Sequence, residues 1–97
     1  MTVRNKSIVQ DDMSKCLICG GTHNLQTHEV FFGSANRQKS IDWGCYVKLC
    51  AYHHNTSNNG VHYNHALDMN LKKFAQRRFE EKHGHEKFME VFGKSYL

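Results

Sequence analysis

Two short Cys/His stretches constrain this chain more than anything else in it. The first is Cys16-Leu17-Ile18-Cys19-Gly20, followed shortly by Leu25-Gln26-Thr27-His28-Glu29-Val30. The second is Val47-Lys48-Leu49-Cys50-Ala51-Tyr52-His53-His54-Asn55. Each offers two soft ligands separated by two residues, a spacing that brings both onto one ion at about 2.3 Å and suits two corners of a zinc tetrahedron. Each also carries a further histidine that a closed, four-ligand site does not need. The pattern therefore has ligands to spare for a second, open site.

The chain has 97 residues, which fits one small domain, and 39% of it is hydrophobic, so its core is modest. Domains of this size often lean on a metal staple. Four cysteines also allow two disulfides, as in a stapled secreted domain. Met1 to Lys15 is polar and lacks the apolar stretch of a signal peptide, and no run is long enough to span a membrane. The expected compartment is thus cytoplasmic and reducing, where Cys-x-x-Cys reads as metal-binding. A net charge of +4 and a pI near 9.0 permit nucleic acid as a partner without requiring it.

Residues 1–15 show no period and are expected to form a flexible leader. Gly20 and Gly21 supply the positive φ that a knuckle turn needs. Leu25 to Phe32 and Tyr46 to Leu49 read as strands. Gly33 to Gly44, with Arg37, Lys39 and Ser40, reads as a polar, turn-rich connection. A helix is expected to start at Cys50 and to break at Asn58-Asn59-Gly60. The clearest helix follows: Asn64 is the N-cap, Asp68 suits the first turn, and Lys82, His83 and Gly84 end it. Leu67, Leu71, Phe74, Ala75 and Phe79 form its apolar stripe, with Phe74 and Phe79 expected in the core. Glu86 to Phe92 reads as a short final helix, packing Phe88, Val91 and Phe92 back. His23 and His65 read as surface residues, and His83 and His85 as residues of a helix end.

Cys16, Cys19, Cys50 and His53 are assigned to one structural zinc. A rival set replaces His53 with Cys45, which would free His53 for chemistry. A third reading leaves the cysteines as buried free thiols.

At these residues the chain resembles the HNH endonucleases, the zinc-stapled branch of the ββα-metal nucleases. The likeness covers residues 16 to about 62. It is nearest to small phage-encoded members, which share His-Glu-Val, a following Phe-Gly, Asn36-Arg37, Ser40 and Gly60-Val61-His62. The resemblance implies an α+β fold: a zinc-stapled ββα-metal core over residues 16–65, with C-terminal helices at 66–97 packed on it. It implies a phage- or prophage-encoded, metal-dependent DNA endonuclease that hydrolyses phosphodiester bonds. The family's usual products are a 5′ phosphate and a 3′ hydroxyl. His28 and His54 fall where the family places ligands of a catalytic divalent ion such as Mg²⁺ or Mn²⁺, and His62 where many relatives add a third. Glu29 falls on the family's general-base His, and Cys45 on its middle Asn. Either Glu29 or His28 is then the base, since Glu serves if burial raises its pKa.

Arg37, Lys39 and Lys48 are candidate phosphate contacts, as are Lys72, Lys73, Arg77 and Arg78, which lie off the apolar stripe of the long helix. No base-reading helix stands out, so low sequence specificity is expected. The expected partner is DNA with no membrane, and a homodimer stays open. The alternative function is a non-catalytic, zinc-stabilised DNA-binding module.

Overall fold

A computed structural model describes residues 6–54 and 60–97. It contains β1 (Leu25–Glu29), α1 (Asn36–Asp42), β2 (Tyr46–Cys50), α2 (Ala51–His54), α3 (His65–His83) and α4 (His85–Phe92). The fold is mixed: β1 and β2 pair antiparallel as a two-stranded sheet, and the helices pack around it. In that register His28 lies opposite Val47 and Leu25 opposite Cys50. The pairing therefore fixes which ends of the strands meet the two Cys/His stretches.

The core forms where β1 runs out. Val30 and Phe31 are fully buried, and the Phe31 ring sits 5.3 Å from Phe88 and 4.5 Å from Phe92. Phe79 of α3 closes this layer 5.4 Å from Phe88. Burial of each such ring stabilises the fold by about 1.5–3 kcal/mol. The last two helices thus pack on the segment that leaves β1 rather than trailing from the fold.

The connection between the strands is more ordered than its polarity suggests. It holds α1, which the turn-rich composition concealed. Ser40 explains why this polar segment folds: its hydroxyl donates to the Phe31 carbonyl at 2.6 Å and accepts the Phe31 N–H at 3.1 Å. At the far end Gly44 has φ +74°, and a Cβ there would meet the Lys6 carbonyl at 2.5 Å. Only glycine allows that approach.

Over its described part the expected leader packs against the rest of the chain. Residues 6–15 contain no helix or strand, yet Ser7, Val9 and Gln10 are buried. Ser7 donates to the Tyr46 carbonyl at 2.6 Å, and the Gln10 side chain accepts the Lys48 N–H at 2.8 Å. The segment straps the outer edge of β2, satisfying backbone groups that a two-stranded sheet leaves open.

α3 obeys its expected ends. The Asn64 side chain accepts the Leu67 N–H at 3.0 Å, and Gly84 caps the other end. Its buried face differs from the expected stripe. Leu71, Ala75 and Phe79 are buried, but so are Asp68, Lys72 and Gln76, whereas Phe74 is 40% exposed. The polar three are tolerated inside because each is satisfied. Lys72 binds both oxygens of Asp68, at 2.7 and 2.6 Å. Gln76 accepts the Tyr96 N–H at 2.7 Å and donates to Ser95 and Glu80, so it holds the C-terminal tail against α3. With those partners facing inward, the helix turns Phe74 outward. No helix among the described residues is long and apolar enough to cross a membrane. The break expected at Asn58-Asn59 lies outside them.

Candidate metal centres

The four sequence-assigned ligands converge. The ligand atoms of Cys16, Cys19, Cys50 and His53 all lie within 4.8 Å of one another. Cys19 Sγ is 3.7 Å from Cys50 Sγ, and His53 Nδ1 is 3.3 Å from Cys50 Sγ and 3.9 Å from Cys16 Sγ. Sulfurs at about 2.3 Å on a tetrahedral zinc stand about 3.7 Å apart, with sulfur–nitrogen pairs slightly closer. The Cys19–Cys50 and Cys50–His53 separations match that spacing, and Cys16–His53 is a few tenths of an ångström wider. All four cysteines are free, which sets aside the disulfide reading.

The local fold makes this convergence. Gly20, at φ +74°, returns its N–H to the Cys16 carbonyl at 2.9 Å and closes the knuckle. Leu17 N–H donates to the Lys48 carbonyl, tying the knuckle to β2 beside Cys50. Burial opposes ionisation of Cys16, but the amides of Cys19, Cys50 and Ile18 outweigh it and bring the thiol down to about 6. Such amide donors stabilise a thiolate, the form that binds metal.

Cys45 does not join this group. It is fully buried, its thiol faces the Trp43 carbonyl at 4.0 Å, and burial pushes it up to about 12. His53 therefore belongs with the cysteines.

His54, the next residue, faces a different group. The ligand atoms of His28, His54 and His62 lie within 4.8 Å of one another. Their rings are 5.2, 5.2 and 4.7 Å apart, an almost equilateral triangle. His62 Nε2 is 3.0 Å from His54 Nε2, close to the separation of about 3 Å between neighbouring imidazole ligands at 2.0–2.1 Å from an ion. Two backbone bonds deliver His62: Val61 N–H to the His53 carbonyl, and His62 N–H to the His54 carbonyl. His54 Nδ1 pairs with the Gln26 side-chain oxygen. As the donor in that bond, Nδ1 leaves the Nε2 lone pair turned to the cluster.

His28 gives the strongest sign that something belongs here. It is 2% exposed, and its Nε2 is the one buried side-chain nitrogen or oxygen among the described residues without a hydrogen-bond partner. Leaving such an atom unsatisfied costs about 1–3 kcal/mol. Burial, then the neighbouring His54, His62 and Lys72, bring its pKa down to about 3 against an opposing pull from Glu29. His54 is lowered in the same way, by burial and then by His62. Both are neutral at physiological pH, the state a metal ligand requires. A divalent ion fits the donor set.

The remaining candidates separate. Glu29 is 7% exposed, and Arg37 lies 3.5 Å from its carboxylate. Glu29 is not part of the three-histidine group, but its charge acts on both His28 and His54. Arg37 is largely exposed, Lys39 closes α1, and Arg77 is exposed on α3. Lys48 spends its ammonium on the Thr27 hydroxyl at 2.7 Å. Arg78 bonds the Ile8 carbonyl and pairs with Glu81, so it serves the N-terminal strap. Lys72 is corrected outright: it is buried against Asp68 rather than presented on a solvated face. Gln26 was missed, although strand alternation puts it on the same face as His28 two residues on.

Comparison with family models, with curated proteins and with solved structures returns no match to this chain.

Proposed function

We propose that this chain is a metal-dependent DNA endonuclease of the HNH type, with a structural zinc in the Cys16/Cys19/Cys50/His53 group and a catalytic ion in the histidine triangle. The observation that carries the reading is the buried, unpartnered His28 Nε2 beside His54 and His62. A DNA-binding module stapled by zinc alone has no use for a second set of converging ligands, so this favours the enzyme over that alternative.

In this reading His28, His54 and His62 hold the ion, and Gln26 fixes the His54 ring. A bound divalent ion supplies positive charge for the scissile phosphate and its departing oxygen. Glu29 takes the proton of the attacking water, because His28 is committed to the triangle. Arg37 sets the position of the Glu29 carboxylate from 3.5 Å. Three imidazoles without a carboxylate favour Co²⁺, Ni²⁺ or Zn²⁺ over Mg²⁺. Exposed Arg37 and Arg77 supply charge for the DNA backbone.

The test is a plasmid cleavage assay on chelator-treated protein that still carries its structural zinc. Nicking that returns with Mn²⁺ or Co²⁺, and stays absent in His54→Ala, supports the proposal. No cleavage with any divalent ion leaves the zinc-stapled binding module in its place.

A further inference from the structure

One large apolar side chain at the rim of the histidine triangle is left in the open. Phe32 follows the buried Phe31, yet it is 41% exposed. Its ring is 5.6 Å from His62 and 5.9 Å from His28, so it borders the cluster directly. It also rests on a charged support. The Lys72 ammonium lies 3.9 Å from the ring centroid, and both Asp68 oxygens fix that ammonium in turn. Asp68 and Lys72 are 8% and 7% exposed. Burying an ion pair is costly and seldom adds stability, whereas it does fix a position. Here it forms a pedestal under an aromatic ring. Tyr63, 66% exposed and next to His62 in the chain, adds a second open aromatic on that segment.

We infer that Phe32 is a stacking platform for an unpaired base, and that the preferred substrate is single-stranded or locally unpaired DNA. The inference rests on the nuclease reading for the identity of the polymer. Bases in a duplex have both faces covered by their neighbours, so an exposed ring can stack only on a base that has left the helix. An ammonium beneath one face anchors the ring beside the histidines by cation–π attraction. A base seated on Phe32 would bring its own phosphate to the edge of the triangle.

The experiment compares zinc-loaded parent, Phe32→Leu and Phe32→Trp. Binding to a fluorescent single-stranded oligonucleotide and to the matching duplex, both phosphorothioate-substituted against cleavage, is read by anisotropy. Stacking on one aromatic ring predicts that Phe32→Leu weakens single-strand binding roughly fivefold to a hundredfold. Duplex binding should stay within about twofold, and Phe32→Trp should restore the loss. Metal uptake by the triangle, followed with Co²⁺ absorption, should be the same in all three. The inference is overturned if the parent does not bind single strands, if Leu binds like Phe, or if Leu loses single-strand, duplex and metal binding together. Unmodified oligonucleotides run alongside keep the two claims apart. Phe32-dependent single-strand binding without cleavage upholds the platform and removes the nuclease. Cleavage indifferent to Phe32 does the reverse.

Discussion

His53 and His54 are neighbours in the chain and belong to different centres. His53 joins three cysteines, and the group offers four ligands and a thiol already lowered by backbone amides. His54 joins two histidines, and that group has only three ligands and an imidazole nitrogen without a partner. Both depend on the same sheet, since Cys50 ends β2 and His28 lies in β1. The difference is one of donor chemistry. Thiolates neutralise an ion and close its shell, which suits a staple. Neutral imidazoles leave charge and coordination positions for a substrate, which suits catalysis.

The two centres differ most visibly at Cys16. If its centre is structural, metal binding is folding energy, and Cys16→Ser should leave the domain unfolded or molten by near-UV circular dichroism. A variant that melts with the parent and retains zinc would make the two centres equivalent. The other centre is probed by Glu29→Gln, which keeps shape but cannot accept a proton. It should slow cleavage by about a hundredfold or more with the fold and both ions intact. Parental cleavage by that variant would return the base to His28 and leave only His54 and His62 as ligands.

A finer test is Gln26→Leu. Loss of the group that orients His54 should cost about tenfold to a hundredfold in affinity for the second ion. The zinc should be untouched, as a colorimetric chelator assay would show. Equal effects on both centres would mean that Gln26 supports the sheet instead.

The smallest effect concerns Cys45, the cysteine that serves neither centre. Burial raises its pKa from 9.0 to about 12. The unfolded chain therefore sheds this proton first. The stability it contributes is complete below pH 9 and is lost as pH rises from 9 towards 12. Zinc-loaded Cys45→Val should lose less stability than the parent between pH 8 and 10 in urea titrations. Parallel curves would show that Cys45 does not titrate as its burial requires.

Legibility in the sequence divides along the same line. The closed centre was readable because Cys-x-x-Cys and Cys-x-x-His are local spacings, and a knuckle turn alone nearly satisfies them. The strands and the ends of α3 were readable for the same reason, through β-branched and aromatic content and through Asn64 and Gly84. Spare histidines pointed to a second site, but its three members were named only by resemblance, since His28, His54 and His62 meet through strand pairing and through the return of residue 62 onto α2. What stayed hidden is polar burial. Nothing local says that Lys72 faces inward on Asp68, or that Gln76 collects the C-terminal tail; those positions scan as a solvated face. Ser40 concealed α1 in the same way, because a serine in a polar stretch reads as a turn until its carbonyl partner is known.

The central claim is that one short chain carries two separable metal centres of different kinds. Co²⁺ titration of the metal-free protein, repeated on His54→Ala, tests it most directly. The parent should take up two ions, the first with intense thiolate charge-transfer absorption and recovery of the fold, the second without further thiolate absorption. His54→Ala should keep the first step unchanged and lose the second. A single ion in the parent, or loss of the first step in His54→Ala, would contradict the account.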